Sequence, residues 1–180
     1  YDVGNSAYTM LACALIPIWF KAMAIGTRPG QLTSDQATAY YSMAIAVITI
    51  VVALLGPVCG AISDHKGMKK IFFTTTVAVG VSGCILNGFA YQWIAFLLLF
   101  AVTKIFYNMS LMFYDSMLND ITTEERMDEV SSYGFAWGYL GSCIPFLIAL
   151  VAYVLGPDMA GMIPGRISMA IGFAVTGLWW

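Results

Sequence analysis

The stretch Gly60-Ala61-Ile62-Ser63-Asp64-His65-Lys66-Gly67-Met68-Lys69-Lys70 decides how this chain is read. It separates two long apolar runs, one from about Ala37 to Ile62 and one from about Ile71 to Ala90, with only a few polar residues. A connection that short between two runs that long predicts two antiparallel helices and a tight turn. Gly60 permits close approach of two helices in a bilayer. Gly67 can take positive φ and reverse the chain. Asp64 favours a neighbouring helix N-terminus, and Lys69 and Lys70 suit a membrane–cytosol boundary. On composition alone, a generic basic turn between two spanning helices explains the stretch equally well.

Working outward, the same alternation of apolar run and polar break recurs along the chain. The first run spans about Asn5 to Ile25 and is broken by Arg28-Pro29-Gly30. The fourth spans about Trp93 to Tyr114 and gives way to a polar stretch, Asp115 to Val130. The fifth spans about Ser132 to Leu155 and stops at Gly156-Pro157. The sixth follows Pro164 and spans about Gly165 to Trp180. Six runs in 180 residues match the roughly 20 residues that one spanning helix needs. The expected fold is therefore an all-α polytopic membrane domain of six transmembrane helices over residues 1–180, with no room for a soluble domain.

Composition supports this and excludes other classes. Hydrophobic residues are 60 % and charged residues 10 % of the chain, against roughly 45–50 % and about 25 % in soluble domains. Mean hydropathy is +0.80. So few charges cannot cover a water-facing surface, and disorder needs the opposite balance. No basic stripe for nucleic acid is present. The charges gather in two loops: a net +2 between runs two and three, and a net −5 between runs four and five, within a total of −2. Lys66, Lys69, Lys70 and Arg126 follow even-numbered runs, whereas Arg28 and Arg166, with Lys21 if it snorkels, follow odd-numbered ones. That bias places both termini in the cytoplasm. Cys13, Cys59, Cys84 and Cys143 form no CxxC pair, His65 stands alone in a loop, and no Walker motif or Ser-His-Asp arrangement occurs. No cofactor, metal or enzymatic activity is expected.

The opening stretch resembles the signature loop of the major facilitator superfamily, G-x-[LI]-[AS]-D-[RH]-x-G-x-[KR]-[KR], at that loop's usual place between helices two and three. Gly60, Asp64, Gly67 and Lys69 match, while His65 and Met68 stand where basic residues are usual. The resemblance implies a cytoplasmic gate loop formed by Gly60, Asp64, Gly67, Lys69 and Lys70. Three further stretches are Tyr1-Asp2-Val3-Gly4-Asn5-Ser6-Ala7-Tyr8, Phe113 to Ile121, and Val130 to Gly141. With Gly56-Pro57 they resemble the branch of autophagy-related vacuolar amino-acid effluxers and their bacterial relatives, departing from it at Val3, Gly4, Asp115, Asn119 and Ser142. The resemblance implies the first half of a twelve-helix secondary transporter, lacking its initiator Met and its C-terminal six-helix half. It implies alternating access, with a small solute, amino acids among the possibilities, and proton or ion coupling as a further expectation. The expected setting is the bacterial plasma membrane, or a vacuolar membrane in a eukaryote. A channel or a structural polytopic protein is the alternative.

Several residues stand out as candidates within this frame. Tyr1, Asn5, Tyr8 and Ala12 recur at helical spacing on one face. Asn5 and Tyr8 either line a cavity or hydrogen-bond between helices. Lys104 lies near the middle of its run, about 16 Å from the nearer end, too deep to snorkel easily. With Tyr107 and Asn108 on its face, it either binds an anion or carboxylate or pairs structurally. Gly134, Gly138 and Gly141 form a small-residue stripe for close packing, for sliding between halves, or for both. Asp2, Asp35 and Asp115 sit at span edges, and any proton relay lies there or in the absent half.

Overall fold

A computed structural model of the chain describes residues 1–63, 68–123, 126–156, 162 and 164–180, with the backbone alone at 62–63 and 118–121. Six helices follow one another: α1 (Asp2–Ala24), α2 (Ser34–Ser63), α3 (Met68–Asn87), α4 (Trp93–Ile121), α5 (Met127–Val154) and α6 (Gly165–Trp179). Among the described residues there is no strand, only an isolated bridge between Ile25 and Leu32. Five helices, α1 to α5, are long and apolar enough to cross a bilayer. At 15 residues α6 extends about 22 Å, short of the ~30 Å hydrocarbon core. The chain folds as a multi-pass, all-α membrane protein.

Each expected run overlaps one helix, and the differences are at the ends: Ile25, Gly88 to Ala90, Leu155 and Trp180 lie outside the helices. The ladder of α4 continues seven residues past Tyr114 into the stretch expected to be polar loop, and α5 starts five residues before Ser132. Hydropathy marks where a helix leaves the membrane, not where its hydrogen bonds stop. Asp128 and Glu129 in the first turn of α5 favour its N-terminus. At the start of α2, Thr33 and Gln36 form a capping box: the Thr33 N–H donates to Gln36 Oε1 at 3.0 Å, and the Gln36 N–H donates to Thr33 Oγ1 at 3.3 Å. The break between α1 and α2 is a turn. The Gln31 N–H donates to the Arg28 carbonyl at 3.0 Å, with Pro29 and Gly30 (φ +87°) in the middle. Pro followed by a left-handed Gly is the type II pattern. Trp93 Nε1 donates to the Gly30 carbonyl at 2.9 Å and ties this turn to the start of α4.

In the packing, α1 is the hub. It lies mainly on α5 and also touches α2, α4 and α6, while α3 pairs with α4, and α6 bridges α5 and α3. Half of the spanning window of α1 is buried, against 6 % of that of α2. Phe20, Phe96, Phe100 and Phe173 join Leu11 and Ile16 in the core. α2 and α5 turn large apolar side chains outward: Met43, Val47, Ile50 and Leu54 on one, Trp137, Leu140, Ile144 and Leu147 on the other. In a bilayer such rows face lipid or another helix, not water.

One buried polar group joins two helices without a charge. Asn87, fully buried at the end of α3, presents its amide nitrogen to the Phe96 carbonyl and its oxygen to the Phe100 N–H, each at 3.0 Å. These two backbone groups are one helical step of four apart in α4, so the side chain docks onto the ladder itself.

Candidate functional site

The N-terminal half of α1 is where the polar chemistry collects. Tyr1, Asn5, Tyr8 and Ala12 do share a face, and it points into the bundle. Asn5 is 4 % exposed and Tyr8 is not exposed at all. The amide nitrogen of Asn5 and the hydroxyl of Tyr8 have no hydrogen-bond partner among the described residues. Burying an unpaired polar group costs about 1–3 kcal/mol, so these two positions cost stability where they stand. The Tyr8 ring packs against Tyr107 of α4, centroids 4.9 Å apart, and stacks on Trp180 at 5.3 Å.

Lys104 stands beside this aromatic wall. Its Nζ is 4.8 Å from the centroid of the Tyr107 ring and 5.7 Å from that of Tyr8. Among the described residues no carboxylate lies within ion-pair distance of it; the one ion pair found there is Arg126 with Glu129, at 3.5 Å and exposed. A central Lys costs roughly 2.5–3.5 kcal/mol on insertion scales. A desolvated cation over an aromatic face recovers about 2 kcal/mol, less near the ~6 Å limit where Tyr8 lies. The rings therefore hold the ammonium without neutralising it. Tyr107 is oriented by Thr9, whose hydroxyl hydrogen-bonds the Tyr107 hydroxyl. Asn108 is half-buried one residue further on.

A second set of contacts lies at the N-terminal end of α1. The Tyr114 hydroxyl donates to Asp2 Oδ2 at 3.0 Å. Tyr1 packs on Tyr114 at 4.9 Å and hydrogen-bonds Ser110, and Trp180 Nε1 donates to the Tyr1 hydroxyl at 3.3 Å. From the other side come the α5 glycines. A methyl group at Gly138 would stand 2.8 Å from Ser6 Oγ and 3.1 Å from the Asp2 carbonyl oxygen. At Gly134 it would collide with the Asp2 carboxylate, and at Gly141 with Val3. The small-residue stripe thus seats α5 on the first two turns of α1. Asp2, Val3 and Ser6 of the first stretch, Tyr114 of the second and Gly134, Gly138 and Gly141 of the third lie far apart in sequence and meet here.

The whole chain is similar to an MFS-type transporter. The relative is YxiO of Bacillus subtilis (strain 168), named an uncharacterized MFS-type transporter, and identity is 37 % over an alignment that takes in all of this chain. The chain spans 42 % of the length of YxiO. No family model and no solved structure matches the chain.

The expected gate loop is only partly within view. Gly60 lies in the last turn of α2, and Lys69 and Lys70 lie in the first turn of α3. Asp64 and Gly67 lie outside the described residues. A methyl group at Gly60 would meet nothing within 4 Å, whereas tight glycine contacts occur on α3 (Gly80, Gly83), α5 (Gly134, Gly138, Gly141) and α6 (Gly172, Gly177). Reading residue by residue also misses Thr9, Ser110, Asn87 and the Asp2–Tyr114 bond. Asp2 and Tyr114 did have a signal, since each belongs to a stretch carrying the family resemblance. Thr9 and Asn87 had none, because a lone polar residue in an apolar run does not name its partner. Among the described residues no three His, Cys, Asp or Glu side chains gather as a metal site would require.

Proposed function

We propose that the chain is the N-terminal six-helix half of a major facilitator superfamily transporter, resembling the amino-acid effluxer branch, and that it moves a small carboxylate-bearing solute by alternating access. Amino acids are the favoured substrate class, with transport in place of covalent chemistry. The observation that carries this is Lys104. A half-buried ammonium, held by the Tyr107 and Tyr8 rings and facing no carboxylate among the described residues, is poised to receive an anionic group. The likeness to YxiO along the whole chain supports the superfamily.

In this reading Lys104 binds the carboxylate, Asn108 adds a donor and an acceptor beside it, and Asn5 and Tyr8 form the wall behind. Tyr107 holds the ammonium in place. Asp2, bound to Tyr114 and seated against Gly134, is the acid proposed to couple a proton or ion. Asp64, Gly67, Lys69 and Lys70, next to Gly60, form the cytoplasmic gate, with both termini cytoplasmic in a bacterial plasma membrane. The outward rows on α2 and α5 receive the second six-helix half.

The test is counterflow with the full-length protein in proteoliposomes, using labelled amino acids. Saturable exchange that Lys104→Gln abolishes is the expected result. Exchange unaffected by Lys104→Gln defeats the assignment of the site. Non-saturable, channel-like flux defeats alternating access.

A further inference from the structure

Away from the Lys104 face, the opposite end of the bundle holds two adjoining cavities of contrasting chemistry. The first, of about 400 Å³, is a groove between the end of α3 and the first turns of α6, lined by Gly88, Phe89, Ile167, Ala170 and Ala174 among others. Its walls are almost wholly apolar. From Arg166 to Ala174 it runs about 12 Å along α6, into the hydrocarbon depth. The floor is formed by direct backbone approach: a methyl group at Gly88 would stand 3.1 Å from the Ala170 Cα. The second cavity, of about 390 Å³, opens at the helix ends and is more polar than the first, with Arg28, Gln31, Tyr153 and Arg166 beside Trp19 and Met23 on its walls. The two share Ala90, Tyr91, Arg166 and Met169.

Arg166 marks the border. Its guanidinium lies 4.7 Å from the centroid of the Tyr91 ring, a cation–π contact, and Arg166 also lines the second cavity. Among the described residues no carboxylate lies within ion-pair distance of Arg28 or Arg166. Two guanidiniums at the mouth and an apolar trough leading inward match one kind of molecule: an amphiphile with an anionic head and a hydrocarbon tail.

We propose that this end of the bundle binds an anionic phospholipid, its phosphate between Arg28 and Arg166 and one acyl chain along the α3–α6 groove. Arg suits phosphate because its planar fork donates two parallel hydrogen bonds. The bilayer supplies the ligand at high local concentration, and the groove opens on the outer surface of the bundle, where lipid reaches it without crossing protein. This site is separate from Lys104 and does not depend on what is transported.

The experiment is native mass spectrometry of the delipidated full-length protein, titrated in turn with phosphatidylglycerol, phosphatidylcholine and inorganic phosphate. Phosphatidylglycerol is expected to bind roughly tenfold or more tighter than phosphatidylcholine, as two surface guanidiniums allow. Arg28→Gln with Arg166→Gln should remove that preference, and both side chains are exposed, so the fold should survive. Ala174→Phe, which fills the groove, should weaken phosphatidylglycerol and leave phosphate unchanged. Equal binding of the two lipids, or a preference that survives the double substitution, overturns the proposal. Phosphate binding as tightly as phosphatidylglycerol, with Ala174→Phe silent, also overturns it and shows a site for free anions.

Discussion

Lys104 Nζ lies 4.8 Å from the centre of the Tyr107 ring, three residues further along the same helix. Residues three apart on a helix share a face, so α4 alone builds this contact and α1 needs only to add Tyr8 behind it. A cation held by a ring and not by an acid can exchange partners without leaving an acid unpaired in the membrane.

Lys104→Met should therefore separate function from folding. Transport of a carboxylate solute should fall at least about tenfold, the least that losing one charged hydrogen bond of ~1.5–3 kcal/mol would cause. Thermal unfolding in detergent should be unchanged or raised, because a costly charge is removed. A matching loss of stability would mean that Lys104 is structural, and the counterflow result would then lose its meaning as a binding defect.

Gly138 tests how α5 sits on α1. Gly138→Ala should destabilise by about 1–3 kcal/mol, the usual cost of overpacking, since its methyl group would stand 2.8 Å from Ser6 Oγ. Adding Ser6→Ala should recover part of the loss; the 3.1 Å approach to the Asp2 carbonyl remains. Fluorescence-detected melting of the four proteins in this cycle measures the coupling. Strict additivity would show that the two side chains do not meet.

Asn87 offers a third measurement. Asn87→Leu keeps the volume and removes both hydrogen bonds to the α4 backbone, so stability should fall by about 1–3 kcal/mol. Asn87→Asp should be worse, because a carboxylate oxygen then opposes the Phe96 carbonyl. If Leu proves neutral in a melt, the docking onto α4 contributes nothing measurable.

The capping box at the start of α2 is a local test. Thr33→Ala should cost about 0.5–2 kcal/mol in that turn, read as faster amide exchange at Gln36, whose N–H donates to Thr33 Oγ1. Gln36→Glu should preserve protection of the Thr33 amide, since its carboxylate can accept the bond that Gln36 Oε1 accepts from the Thr33 N–H. Unchanged exchange in Thr33→Ala would show that water replaces the cap without cost.

The six helices could be read from the chain because each is an apolar run bounded by Pro, Gly or charge, and a bilayer admits few other solutions. The helix ends were less legible. The box Thr33-Ser34-Asp35-Gln36 is a start signal that an apolar run beginning near Ala37 conceals, and α4 outlasts its hydropathy. At the site, Lys104 was visible because a central charge is expensive, and Tyr107 because it is three residues on. The arrival of Tyr8 from a helix almost a hundred residues away was not, since periodicity gives the face of a helix and not its neighbour. Gly134, Gly138 and Gly141 were legible as a packing stripe, and the turns of α1 they seat against were not.

The position of α1 has a consequence for how the protein is made. Helix α1 is synthesised before the other five, yet its main partner is α5, whose glycines seat on Asp2, Val3 and Ser6 more than 120 residues later. Until α5 emerges, the carboxylate and hydroxyls at the start of α1 have to wait at the membrane boundary without the helix that covers them. Completion of α5 is thus the earliest point in translation at which α1 can settle, and a ribosome stalled before Gly138 would leave α1 in the bilayer but not yet in the fold.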